Sequence, residues 1–387
     1  MAFMNSRQRL LLALAHQEPD WVPLDLGSTQ VTGIHLLAYE KLREALGLPP
    51  SSGSLCDAIQ QLALPEADII SRLGVDVRGL YPLNSHNMIG MEQESGDYWV
   101  YDDEWGITHH RPMPDGLYYS LVHAPMDMPG LSIQQIRSYV WPDMSNPARI
   151  TGLRDLAEQY RTIGYAVVLK DPFAGIFEMA QRLVGFERLL VMMVDEKRLA
   201  AALFDKLCSL KLAFWEMALP RLADVVDVVS QTDDYGSQSA MLISPSMYRF
   251  QIRPFWKAVF TRIKELAPHV YIFFHSCGSI RPLLPDFIEI GVEILNPVHI
   301  RAAGMEPVAL KRDFGKALSF WGGGVDTQGV LPYGSPNDVL DEVRRNIDAL
   351  APGGGFVFNQ VHNIQADVPV ENLLAMWGAF EEYRVYG

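Results

Sequence analysis

Short apolar runs rich in β-branched residues recur along the chain, each followed by a longer stretch with helical spacing. That alternation predicts βαβ units and a parallel sheet. The predicted strands are 22–26 (VPLDL), 75–81 (VDVRGLY), 165–170 (YAVVLK), 225–230 (VVDVVS), 270–274 (VYIFF), 292–295 (VEIL), 318–321 (LSFW) and 356–358 (FVF). Helices are predicted over 186–218, 244–266, 280–290, 336–350 and 370–383. About eight repeats, with polar residues just past nearly every strand, predict a closed (β/α)8 TIM barrel spanning 1–387 as a single domain. The rival, an open doubly wound sheet, usually carries a Gly-rich phosphate loop after its first strand. Here that strand runs into DLGSTQVTG, which has no G-x-G-x-x-G.

One stretch, 84–125, breaks the alternation. Its aromatics and acids (DYWVYDDEWGITHHRP) read as β-hairpins inserted in a loop, either over the barrel mouth or as surface decoration. Adjacent strand residues face opposite sides, so His109 and His110 cannot both address one metal from a regular strand.

Composition narrows the function. The chain has 387 residues, 49% of them hydrophobic, and a net charge of -14. That balance argues against nucleic acid or an anionic membrane as partner. Three scattered cysteines, Cys56, Cys208 and Cys277, do not make a disulfide scaffold, and a reducing cytoplasm is the simpler setting. The N-terminal LLLALA is too short to span a bilayer and reads as an amphipathic first helix.

Chemistry in such barrels sits at the C-terminal strand ends. There the sequence places Asp171, then Asp233 and Asp234, then His275 and Cys277, Asn296 and His299, Asp326 and Gln328, and finally Asn359, Gln360 and His362. For Asp171, Asn296 and Asp326, capping or loop bracing competes with a role in the site. The sharpest signal is His275-Ser276-Cys277-Gly278. Two residues apart in extended chain, His275 and Cys277 point to one side, and imidazole with thiolate suits zinc. The bland alternative is a buried Cys beside a hydrogen-bonded His; another is a Cys nucleophile with His275 as base. A third zinc ligand must come from elsewhere. His362 is the best placed, with Asp233, Asp234 and Gln360 behind it.

The opening SRQRLLLALAHQEPDWVPLDL, the run HSCGSIRPLLPDFIEIGVEILNPV, FWGGGVDTQ and the ending GGFVFNQVHNIQADVPVENLLAMW together resemble the uroporphyrinogen decarboxylase superfamily. The resemblance implies a (β/α)8 barrel. True decarboxylases of that superfamily use an early loop with two arginines, in a pattern like R-Q-A-G-R. Here the loop 27–35 has no arginine, which disfavours a polyanionic porphyrinogen. The other branch, corrinoid-dependent methyltransferases, carries zinc through an H-x-C motif after the fifth strand and a third ligand, typically Cys, near the last. His362 stands in that region here, and similar decarboxylases also carry a histidine there, in a G-H-G-I context.

The resemblance therefore implies a zinc-dependent methyltransferase. It would move a methyl group between a small methylated substrate (methyl ether, methylamine or thiol) and the corrinoid (cobalamin) of a separate partner protein. Asp233 and Asp234 are the candidate catalytic carboxylates, and Asp326, Gln328, Asn359 and Gln360 the candidate substrate contacts. Relatives often pair, which leaves room for a homodimer. A metal-independent decarboxylase of a small acid, protonating its carbanion from Asp233 or Asp234, is the second reading. A non-catalytic binding barrel is the third.

Overall fold

The structure, a computed structural model, describes residues 4–83 and 92–386. Seven parallel strands stand side by side in chain order: Val77–Leu80, Ala166–Lys170, Val228–Thr232, Tyr271–His275, Ile294–Asn296, Ser319–Trp321 and Phe356–Val357. Most of their residues are buried on both faces, which explains why these segments are largely apolar in sequence. The expected first strand shrinks to a bridge between Leu24 and Phe358. Pro23 has no N–H to give, and the Leu24 N–H goes to the Asp76 carboxylate at 2.9 Å. The segment still joins both edges of the sheet. Asp25 N–H donates to the Phe358 carbonyl (2.9 Å), Phe358 N–H to that of Pro23 (2.8 Å), and Asp76 N–H to that of Leu24 (2.8 Å). The sheet thus closes on itself as a (β/α)8 barrel.

The barrel interior is packed by Val77, Val168, Val228, Phe273, Ile294, Trp321 and Val357. Leu10 and Leu14 of the first helix, Ser6–Leu14, plug the N-terminal mouth. A larger apolar layer lies between the strands and the outer helices.

Three predicted helices are interrupted. The 186–218 stretch splits at Glu196 into Phe186–Asp195 and Lys197–Leu222. Between 244 and 266 a π-turn, Tyr248–Ile252, precedes Arg253–Leu266. The 280–290 stretch opens as a 3-10 turn before Leu284–Glu289. Apolar spacing survives each break, so periodicity alone does not reveal it.

The insertion is a four-stranded antiparallel sheet of Gln93–Ser95, Tyr98–Asp102, Thr108–Pro112 and Ser120–His123. Residues 84–91 of the predicted hairpin region lie outside the described ones. His109 is buried against Asp103 (3.0 Å), while His110 stacks on Tyr98 with ring centroids 4.4 Å apart. No helix among the described residues is long and apolar enough to cross a membrane.

Candidate metal centre and active site

Parallel register decides which strand-end residues meet. His275 pairs with Thr232 on one side and Asn296 on the other. Paired residues project to the same face, so one layer at the C-terminal mouth carries all three. Past His275 the chain turns. Gly278 has φ +83°, and a Cβ there would sit 2.4 Å from the Gly236 carbonyl carbon. The turn tolerates no side chain, and it returns Cys277 towards His275, with Sγ 3.4 Å from Nε2.

His362 comes from the loop after the last strand and completes the cluster. One ligand atom from each of His275, Cys277 and His362 lies within 4.8 Å of the others. The His275 and His362 ring centroids are 5.2 Å apart.

The orientation of His275 is built in. Asn296 donates its side-chain N–H to the Trp321 carbonyl at 2.7 Å, which fixes its amide. Its Oδ1 then accepts from His275 Nδ1 at 2.5 Å. With the proton on Nδ1, Nε2 presents a bare lone pair to the cluster. A metal-ligating histidine needs this arrangement. Burial pulls both imidazoles towards the neutral, ligating form. His275 is lowered, and His362 falls to about 3 through burial and then the neighbouring His275 and His299. The Cys277 thiol is pushed well up by burial, then by Asp234 and Glu178. A catalytic cysteine nucleophile requires a lowered pKa, so the Cys–His nucleophile reading lacks its activating environment. A bound cation would remove that penalty. Two neutral imidazoles and one thiol fit the donor set of a three-ligand zinc site.

The two acidic neighbours have separated. Asp233 is fully buried and accepts four bonds: Phe177 N–H (3.0 Å), Glu178 N–H (2.9 Å), Tyr235 O–H (2.5 Å) and Trp256 Nε1–H (2.8 Å). It ties the start of the Ile176–Val184 helix to the third strand's end. Asp234 instead reaches the cluster. It accepts the Cys277 N–H at 2.7 Å and lies 3.6 Å from His275 Nε2. Burial, with the charge of Glu178, pushes the Asp234 acid up to about 7.

A cavity of about 160 Å³ opens beside the cluster, lined by His275, His362, Asp234, Lys170, Glu178 and Gln30, among others. The remaining sequence candidates stand around it in supporting places. Asp326 accepts Gln328 N–H (3.2 Å), Val330 N–H (3.3 Å) and Arg301 (3.2 Å). Asn359 donates to the carbonyls of Asp25 (3.0 Å) and Thr32 (3.2 Å), and Gln360 to that of Gly33 (3.0 Å). Both pin the early loop to the last strand. Gln328 is exposed and bonds Gln238, whose amide lies 2.9 Å from His299 Nε2. His299 Nδ1 in turn accepts the Gly278 N–H at 3.0 Å and steadies the turn behind Cys277.

Sequence reading missed the far wall of the cavity. Asp57 and Gln60 lie in the first connection, at the antiparallel pair Leu55–Asp57 and Leu62–Ala63. Lys170 was visible as the charged end of an apolar strand, YAVVLK, while Glu178 and Arg182 sit on a helix whose facing cannot be read without the fold.

A family profile described as Uroporphyrinogen decarboxylase (URO-D) matches residues 128–383. The chain belongs to the uroporphyrinogen decarboxylase family. The matched span of this family holds every residue of the cluster and begins beyond the four-stranded insertion. The structure is similar to that of a methyltransferase from Methanosarcina mazei at 18% identity and TM-score 0.63, covering 98% of this chain and 99% of that one. It also overlaps an endo-1,4-beta-xylanase XylE from Penicillium canescens at 11% identity and TM-score 0.33, covering 55% of this chain and 67% of that one. No curated protein matches the sequence.

Asn296→Ala frees the His275 tautomer while leaving all three ligands in place. Zinc affinity, measured by competition with a chelating dye, is expected to fall about 10–100-fold. Unchanged affinity would mean that Asn296 does not orient the ring.

Proposed function

We propose that this family member is a zinc-dependent methyltransferase that exchanges a methyl group between a small substrate and the corrinoid of a partner protein. The observation that carries the reading is the His275–Cys277–His362 cluster, with the His275 tautomer set by Asn296 and a small cavity alongside. Held by those three residues, zinc would supply Lewis-acid stabilisation of negative charge on a substrate oxygen, nitrogen or sulfur. Asn296 keeps Nε2 of His275 facing the cavity. Asp234 fixes the Cys277 backbone and orients the substrate. Asn359 and Gln360 act through the loop they hold, Asp326 and Gln328 brace the neighbouring turn, and Asp233 positions the helix that carries Glu178.

The decarboxylase reading has one supporting observation, a protonatable Asp234 in the cavity. Two measurements separate the readings: the metal content of the purified protein, and methylation of cob(I)alamin or of a corrinoid protein by small methyl donors. Stoichiometric zinc with methyl transfer is expected. Metal-free protein that decarboxylates small acids at full rate would overturn the proposal.

A further inference from the structure

The cavity beside the metal cluster contains a cation that the protein leaves incompletely partnered. Lys170 closes the Ala166–Lys170 strand and is 4% exposed. Its Nζ donates to the Asp171 carbonyl oxygen at 2.9 Å, its one hydrogen bond among the described residues. An ammonium has three donors, so two remain. The neighbouring carboxylate attracts the ammonium through its charge but gives it no hydrogen bond: Asp171 Oδ2 is held by Lys211 at 2.6 Å, and Oδ1 has no hydrogen-bond partner among the described residues.

The acids of the cavity accept their hydrogen bonds from other groups, although the charge of Asp57 also attracts Lys170. Glu178 lies 4.0 Å from Arg182 and accepts the Thr232 hydroxyl at 3.3 Å. Asp57 accepts the Gln60 N–H at 2.9 Å. Asp234 accepts the Cys277 N–H. Gln30 Oε1, buried in the same lining, has no hydrogen-bond partner among the described residues. Buried charged groups are almost always paired, so an ammonium with open donors facing a cavity calls for an anionic occupant. The space is about 160 Å³, which suits a small occupant.

We infer that Lys170 is a specificity-determining anchor for a small substrate bearing a carboxylate, held so that its other end reaches the His275–Cys277–His362 cluster. The second half of that statement rests on the proposed metal site; the first stands on the cavity alone.

Calorimetric titration of the full-length, zinc-loaded protein tests it with 3-mercaptopropionate (anionic), 2-mercaptoethanol (neutral), 2-mercaptoethylamine (cationic) and propionate, which lacks the thiol. The anionic thiol is expected to bind at least about tenfold more tightly than the neutral and cationic ones, as a charged hydrogen bond predicts. Lys170→Met should abolish that preference and Lys170→Arg should keep part of it. A neutral or cationic thiol binding as tightly as the acid overturns the inference, as does a folded Lys170→Met protein that retains the preference. Should Lys170→Met not fold, the ranking on the unaltered protein decides. Propionate binding as tightly as 3-mercaptopropionate, with the same dependence on Lys170, would uphold the anchor and count against the metal reading.

Discussion

Cys277→Ala protein is expected to emerge from purification without stoichiometric zinc, and with methyl transfer lost to background. Second-shell changes around zinc typically cost 10–100-fold in affinity; removing a direct ligand from a three-ligand site should exceed about 100-fold. Cys277 is also the only thiol in position. Cys208 sits in the Lys197–Leu222 helix with Sγ 3.6 Å from the Phe255 carbonyl, and Cys56 is buried with Sγ 3.4 Å from the Ala63 carbonyl. Neither belongs to the cluster. The environment adds a second signature. Because burial, Asp234 and Glu178 hold the free thiol protonated, zinc must displace a proton from Cys277. Zinc binding is therefore expected to release acid, and its affinity to fall as pH is lowered. Cys208→Ala is the control, with zinc content unchanged. Full zinc occupancy in Cys277→Ala protein would remove the cysteine from the site and the methyl-transfer reading with it.

The sequence located the His275–Cys277–His362 cluster better than its surroundings. His275 and Cys277 are two positions apart in extended chain, so periodicity suffices to put them together. His362 was reachable because it follows the last strand, and the C-terminal ends of parallel barrel strands share one mouth. The roles of Asp233 and Asp234 were not legible. The two are adjacent and chemically identical, yet one faces Trp256 and Tyr235 and the other faces Cys277. Alternation predicts that two adjacent residues diverge, but the strand ends at Thr232, so which of them turns to the cluster depends on the path of the loop beyond it. The first strand shows a similar limit. VPLDL has the composition of a strand, but Pro23 and the Asp76 carboxylate reduce its ladder to a bridge. The cavity's far wall was hidden for another reason: Asp57 and Gln60 stand more than 200 residues before His275, in a connection without strand alternation.

Lys211→Met is expected to destabilise the barrel by about 3–5 kcal/mol, the usual cost of removing one partner of a buried ion pair. Lys211 and Asp171 are both 0% exposed and 2.6 Å apart. The lysine reaches in from the outer helix to the second strand's end, passing 4.2 Å above the Phe173 ring. Without it, Asp171 would keep a charge in an apolar setting where its Oδ1 already has no partner among the described residues. The cost comes from that orphaned charge more than from the lost attraction, so neutralising Asp171 as well should restore most of the stability. Lys211→Met/Asp171→Asn is thus expected to have a urea midpoint well above that of Lys211→Met alone. A single variant within about 1 kcal/mol of the unaltered protein would show that the pair is not isolated from water. The same pair reaches the functional site through one bond. The Asp171 carbonyl holds Lys170 Nζ at 2.9 Å, so the ion pair that secures Asp171 also sets where the Lys170 ammonium stands in the cavity. Loss of Lys211 should therefore weaken carboxylate binding under conditions where the protein is still folded, and the double variant should recover stability before it recovers affinity.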